Sequence, residues 1–169
     1  MEIVDIYDAK KNKTNKTVER KEKPKEGEYR LSIQIWITNE KGEILIQRRS
    51  NNRKMFPNMW SETAGGAAQT GENSEETCAR EFQEELGVTP DMKKAEYIGC
   101  IKRKYDYVDI WYIKQNIDIK NIKIQEEEVS EVKYASIEEI KKLIKNKEFV
   151  PTVVPSLKLF LNYLETKNN

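Results

Sequence analysis

Three glutamates, Glu81, Glu84 and Glu85, fall close together in the run GGAAQTGENSEETCAREFQEELGV at positions 65–88. At about 100° per residue in a helix, their side chains span an arc of roughly 100°. Cys78, Phe82 and Leu86 repeat at i, i+4, i+8 on a separate apolar stripe. The acids therefore occupy a face that is not the core face. Like charges at i, i+4, as in Glu81 and Glu85, cost roughly a few tenths of a kcal/mol in a bare helix, so the pattern calls for something positive among them. Oxygen-only ligands suit a hard divalent cation, Mg²⁺ first and Mn²⁺ second. Two or three such carboxylates can hold the ion against a diphosphate, cancel charge on its nonbridging oxygens and acidify a bound water. A solvated acidic face is the competing reading of the same three residues.

A helix with that face needs ends and a floor. Asn73 or Ser74 can cap its N-terminus, with Glu75 and Glu76 near the positive end, and Gly87 suits a left-handed stop past the last turn. Upstream, LSIQIWIT at 31–38 alternates Leu31, Ile33, Ile35 and Ile37 on one face. NEKGE then turns into EILIQRR, which predicts a strand pair. Loop signals around Pro57 and Asn58 occupy 50–64, leading to the paired Gly65 and Gly66. Residues 2–8 read as a short strand, and the lysine-rich stretch 10–25 holds a second at 17–21, giving an N-terminal hairpin or arm with the only expected mobile segment. Downstream, AEYIGCIKRKY, DIWYIKQ and VSEVKYASI read as strands, KKLIKN as a helix and 151–166 as a closing amphipathic helix. Several strands with two or three helices predict a mixed α/β (α+β) sandwich.

Composition narrows the chemistry. The chain has no histidine, which removes Ser-His-Asp and Cys-His nucleophiles, histidine-bound zinc and imidazole acid/base catalysis. Thirty Lys and Arg against twenty-nine Asp and Glu give a net charge of +1, so no global field draws the protein to DNA or an anionic membrane. Cys78 and Cys100 are isolated, as expected of reduced thiols in a cytoplasmic protein. The start, MEIVDIYDAKKNK, lacks an apolar stretch like a secretion signal, and no run reaches the roughly 18–20 apolar residues of a membrane span. A length of 169 residues favours a single domain, 1–169, with its own core.

Gly66, Glu72, Arg80, Glu81, Phe82, Glu84, Glu85, Gly87 and Val88 fill every fixed position of Gx5Ex7REUxEExGU. The chain thus resembles the Nudix hydrolase superfamily. Phe82 stands where the pattern has a bulky aliphatic residue and still supplies apolar bulk. The resemblance implies an α/β/α sandwich with a mixed sheet between helices, 1–28 as the N-terminal hairpin or arm and 29–166 as the core. It implies that Glu81, Glu84 and Glu85 bind Mg²⁺ (Mn²⁺ possible) directly or through water, with the Gly65 carbonyl completing the set. Arg80 would orient a carboxylate, and Glu72 would be another oriented acid; the alternatives are an ordinary helix ion pair and an acid at a helix start. A general base outside the box is common in this superfamily. Glu128, in the run Glu126, Glu127, Glu128, is the leading candidate and Asp109 a weaker one, with a solvated turn the rival reading for the run.

Recognition of substrate is less defined. Arg48, Arg49, Arg53 and Lys54 can meet phosphates or form a solvated loop. Trp36, Trp60, Tyr105 and Trp111 can stack on a base at roughly 1–3 kcal/mol or belong to the core. The best reading is a pyrophosphohydrolase cleaving a nucleoside diphosphate linked to X, with nucleoside di- or triphosphates as first substrates. Dinucleoside polyphosphates and nucleotide sugars are alternatives, as is a non-catalytic nucleotide-binding module. ILIQRRS, FPNMW and the glycines after them also resemble the branch with isopentenyl-diphosphate isomerases. Those enzymes use histidine ligands and a catalytic cysteine that this chain lacks, so no isomerisation is expected. Partners are a small nucleotide or other diphosphate, with RNA ends left open by the lysine-rich stretch and a homodimer left open altogether.

Overall fold

A computed structural model describes residues 1–168. In chain order the strands are β1 (Ile3–Tyr7), β2 (Lys13–Glu19), β3 (Arg30–Thr38), β4 (Ile44–Arg49), β5 (Trp60–Ser61), β6 (Ala64–Ala67), β7 (Glu96–Lys102), β8 (Asp106–Lys114) and β9 (Val129–Ala135). The helices are α1 (Ser74–Leu86), α2 (Ile137–Lys145) and α3 (Val154–Asn168).

Strand β3 organises the molecule. It runs parallel to β8 from Arg30↔Asp106 to Thr38↔Lys114, and antiparallel to β6 through Ile33↔Gly66 and Gln34↔Gly65. Its predicted pairing with β4 is confined to Ile37↔Leu45 and Thr38↔Ile44, because β4 diverges to pair with β9 and β5. Successive side chains of a strand point to opposite faces. Ile33, Ile35 and Ile37 accordingly meet Cys78, Phe82 and Leu86 of α1, whereas Trp36 meets Leu157 and Phe160 of α3. The Trp36 and Phe160 rings stack at 5.3 Å, and Trp36 Nε1 donates to Ser156 Oγ at 2.9 Å, which satisfies the one polar atom the ring buries. Helices cover both faces of a mixed sheet, as the sandwich reading expects.

Helix α1 begins and ends for local reasons. Asn73 Oδ1 accepts the Glu76 N–H at 2.8 Å, and Gly87 takes the left-handed conformation (φ 66°) while its N–H returns to Gln83 O. A side chain at Gly87 would also press against the Lys123 backbone. Capping moves another boundary: Ser136 and Glu139 form a reciprocal box, so α2 starts at Ile137, before the KKLIKN segment.

Two further elements go beyond what the sequence pattern indicates. The glycine pair belongs to a strand, because β3 offers β6 a free antiparallel edge. The lysine-rich stretch is held as β2, starting at Lys13 where the sequence suggests 17, because its cations find acids: Lys13 with Asp5, Lys16 with Glu28 and Arg20 with Glu2. At the hairpin tip Lys11 (φ 64°) extends its ammonium to the buried Asp109 at 2.5 Å. Among the described residues no helix is long and apolar enough to cross a membrane.

Candidate functional site

The site is assembled where β6 runs beneath α1. Gly66 is bare because a Cβ there would fall on the Glu81 carboxyl group, and a Cβ on Gly65 would meet Glu62 Oε1 at 2.9 Å. Absence of side chains lets backbone and carboxylates share one small space. Glu81 is 6% exposed and Glu85 5%. Glu85 Oε2 accepts from Gln47 Nε2 at 2.7 Å and from the Gly65 N–H at 3.3 Å. Glu62, itself buried, accepts from Ser61 Oγ at 2.6 Å.

Arg80 holds the outer side. Its guanidinium grips Glu72 through Nε at 2.6 Å and Nη2 at 3.2 Å, and donates to Glu81 at 3.0 Å, Glu84 at 3.1 Å and the Ala67 carbonyl at 3.0 Å. A planar fork with five donors can do this where an ammonium cannot. Thr77 Oγ1 adds a bond to Glu72 at 2.8 Å. Glu84 stays about half exposed, drawn to Arg80 at the rim.

Burial, reinforced by neighbouring charge, sets the electrostatics. Burial pushes Glu81 up to about 7, with Arg80 opposing and Glu84 and Glu128 adding to the rise. Glu85 lies well above the usual carboxylate range, through burial first and then the charges of Glu81 and Glu62. Arg80 is held above the ordinary guanidinium range by its acids, against the cost of its own burial.

A carboxyl raised in the folded state binds its proton more tightly there than in the unfolded chain. Glu81 therefore stabilises the metal-free fold fully below about pH 4.5, and that contribution is lost as pH rises to about 7. The shift is worth at most roughly 3 kcal/mol. In EDTA, the melting temperature is expected to fall between pH 5 and 7.5, and Glu81→Gln to flatten the fall. A rise over that interval would contradict the burial argument.

Beside these acids lies a cleft of about 470 Å³ whose lining includes Gly65, Gly66, Glu62, Gln34, Arg49, Arg53 and Tyr105. The family model described as NUDIX domain matches residues 28–157. This chain belongs to the Nudix family. An uncharacterized Nudix hydrolase of Listeria monocytogenes is 34% identical over 100% of this chain and 96% of its own length. An isopentenyl-diphosphate Delta-isomerase of Corynebacterium diphtheriae is 31% identical, over 46% of this chain and 41% of its own. Among solved structures, Deinococcus radiodurans DR0079 superposes with a TM-score of 0.79 at 18% identity, covering 94% of this chain and 99% of its own. The NUDIX domain of Shewanella oneidensis NrtR, complexed with ADP ribose, superposes at 0.65 with 16% identity, covering 80% and 88%. These two likenesses are of fold.

The Nudix fold disperses several residues that the sequence had grouped. Arg49, Arg53 and Tyr105 line the cleft, whereas Arg48 is turned to the Asn58 carbonyl and Glu131. Trp60 does not line it: the ring is 7% exposed in the core, with the Lys133 ammonium 4.4 Å from its centroid. Trp36 is core, and Trp111 packs beside Tyr97 and donates to Ser74 Oγ at 2.8 Å. Asp109 is neutralised by Lys11 behind the hairpin and does not line the cleft. Glu128 stands near enough to Glu81 and Glu85 to add to their field but is engaged by Arg53 at 3.1 Å.

Glu62, Gln47 and Gln34 escaped the sequence reading. The two glutamines carried a signal: each is a lone amide inside an apolar strand, LSIQIWIT and ILIQRR, and both are buried.

Proposed function

We propose that this chain is a divalent-metal-dependent pyrophosphohydrolase, splitting the anhydride of a nucleoside diphosphate linked to X, with nucleoside di- or triphosphates as first substrates. One observation carries the reading: two buried carboxyls, Glu81 and Glu85, meet a pair of glycines that floor an arginine-lined cleft. Among the described residues no three acidic or cysteine side chains stand together as a ready metal cage. Mg²⁺ does not require such a cage, since it commonly takes one or two carboxylates, keeps several waters and completes its shell with substrate phosphate. The donor set is oxygen alone, and two carboxyls raised by burial first and then by neighbouring acids are well matched to a cation.

Glu81 and Glu85 would hold the ion, with the Gly65 carbonyl beside them and Glu84 reaching in from the rim. When bound, Mg²⁺ (or Mn²⁺) supplies charge neutralisation on phosphate and a more acidic water. Arg80 fixes the Glu81 carboxyl and Glu72 anchors Arg80, so the acids are oriented before substrate arrives. Arg49 and Arg53 present guanidinium forks to phosphate oxygens, and Tyr105 offers the cleft its one aromatic ring. We assign proton transfer to Glu62 ahead of Glu128, since Glu62 lines the cleft while Glu128 is taken by Arg53.

Isomerase chemistry has no support here, since the chain has no histidine and neither cysteine lines the cleft. A silent nucleotide-binding module would use the same cleft, and turnover separates the two. Phosphate release over nucleotides, dinucleoside polyphosphates and nucleotide sugars is expected in Mg²⁺ and lost in EDTA. Release that persists in EDTA, or tight binding without release, would overturn the proposal.

A further inference from the structure

The cleft gathers six cationic side chains from four parts of the chain. Arg20, Arg30, Arg49, Arg53, Arg103 and Lys104 line it against two acids, Glu62 and Asp106, a surplus of four positive charges. Some of this is answered within the protein: Arg103 chelates Asp106, Arg53 meets Glu128 and Arg20 meets Glu2. Arg30 and Arg49 pair with no carboxylate among the described residues. Arg49 Nε donates only to the Met55 carbonyl, and Arg30 Nε is buried without any partner. Gln34, nine-tenths buried on the same wall, leaves its Oε1 unpartnered too.

Cations out of water without an anion are costly, and here they are also crowded. Arg30 and Arg49 are each held below the usual guanidinium range, by burial first and then by the neighbouring Arg20 and Arg53 respectively. A diphosphate esterified at both ends carries about two negative charges, and a terminal phosphate adds roughly 1.5–2 more. Glu2 and Glu128 answer Arg20 and Arg53 from outside this lining and leave two of the four charges. Arg20 and Glu2 are both more than a third exposed, however, so their pair is weak in water and the terminal phosphate of a triphosphate can take the arginine from it.

Arg20 comes from the N-terminal hairpin, before the family match at 28–157. The hairpin is fastened to the loop that leads into α1, with Thr70 N–H on the Ile3 carbonyl and Gly71 N–H on Asp5, both at 2.9 Å. It also holds Arg30, whose Nη2 donates to the Glu22 carbonyl just past β2. Beyond the mouth, Arg20 and Arg53 line an adjoining hollow with Lys21 and Lys54, where Glu2 pairs with Arg20, Glu19 pairs with Lys21, and Lys54 adds a further cation.

We propose that the hairpin is part of the substrate site: Arg20 and Arg30 receive a phosphate beyond the scissile anhydride, so the preferred substrate carries three or more phosphates in line. This rests on the phosphoanhydride reading above and narrows it. The test is calorimetric binding of inorganic tripolyphosphate and pyrophosphate to the full chain in EDTA. Arg20→Ala is expected to weaken tripolyphosphate about tenfold or more and pyrophosphate less than about twofold, the loss of one charge-assisted contact. Arg20→Lys, which keeps the charge, should recover most of the loss, and an unchanged melting temperature excludes a collapsed hairpin. Equal losses for both anions, or none, would overturn the proposal. With Mg²⁺ present, Arg20→Ala should raise KM for a nucleoside triphosphate several-fold more than KM for a doubly esterified diphosphate such as ADP-ribose. Arg20-dependent tripolyphosphate binding by a protein that cleaves no nucleotide would sink the hydrolase reading while sparing this one.

Discussion

Replacing Glu85 with glutamine is expected to lower Mg²⁺-dependent turnover by on the order of 10³ while leaving the fold intact or firmer. The two effects have one origin. Glu85 is almost fully buried, and its ionised form is opposed by burial and by the charges of Glu81 and Glu62. A neutral amide of the same shape keeps an acceptor for Gln47 Nε2 and the Gly65 N–H but no longer offers a charge to a cation. Removing an uncompensated buried charge relieves a cost of several kcal/mol in the general case, so the metal-free melting temperature should hold or rise near pH 8. Mg²⁺, which stabilises a protein it binds by RT ln(1 + [L]/Kd), should raise the melting point of the native chain and not that of the variant. A variant with full turnover would mean that Glu85 holds no metal.

Gly66→Ala should be nearly as damaging to activity, on the order of 10²-fold, for a different reason. Its Cβ would occupy the place of the Glu81 carboxyl, the far end of a flexible side chain. Glu81 can swing aside, so the cost to stability should stay within about 1–3 kcal/mol, the usual range for overpacking. What is lost is position: Glu81 would leave Arg80 Nη1, now 3.0 Å away, and the space shared with Glu85. Gly65→Ala meets the Ile33 backbone carbonyl at 2.9 Å as well as Glu62 and should cost more stability, since a strand cannot step aside. Denaturant melts and turnover measured on both variants separate eviction of an acid from strain on the sheet. Equal activity of Gly66→Ala and the native chain would mean that Glu81 need not sit where it does.

Features written within one element were legible in the sequence. The acidic face, the apolar stripe, the Asn73 cap and the Gly87 stop depend on residues a few positions apart, and the helix forms as read. The box glycines were found, yet not their strand, because β6 is defined by β3, and pairing across thirty residues leaves no periodic mark in AGGA. The aromatic residues could be read either as stacking rings or as core. Trp60 and Trp36 have the chemistry for stacking, but only long-range packing decides whether a ring faces a cleft or Phe160. The cationic cleft was half visible: Arg49 and Arg53 sit next to the strand that delivers them. Arg20, Arg30 and Arg103 are brought to the cleft from the hairpin, the start of β3 and the turn after β7.

The pairing of β3 with β8 also bears on the order of events during folding. The amide that greets Glu85 sits opposite Gln34, and Gln34 in turn lies beside Ile110, a partner from much later in the chain. Parallel alignments between such distant stretches form slowly, since loop closure must precede any reward from contact. A nascent polypeptide halted before β8 would carry the complete box motif and still lack a rigid seat for it. The seat for the Glu85 carboxyl should therefore take shape late and all at once, when the last strands lock.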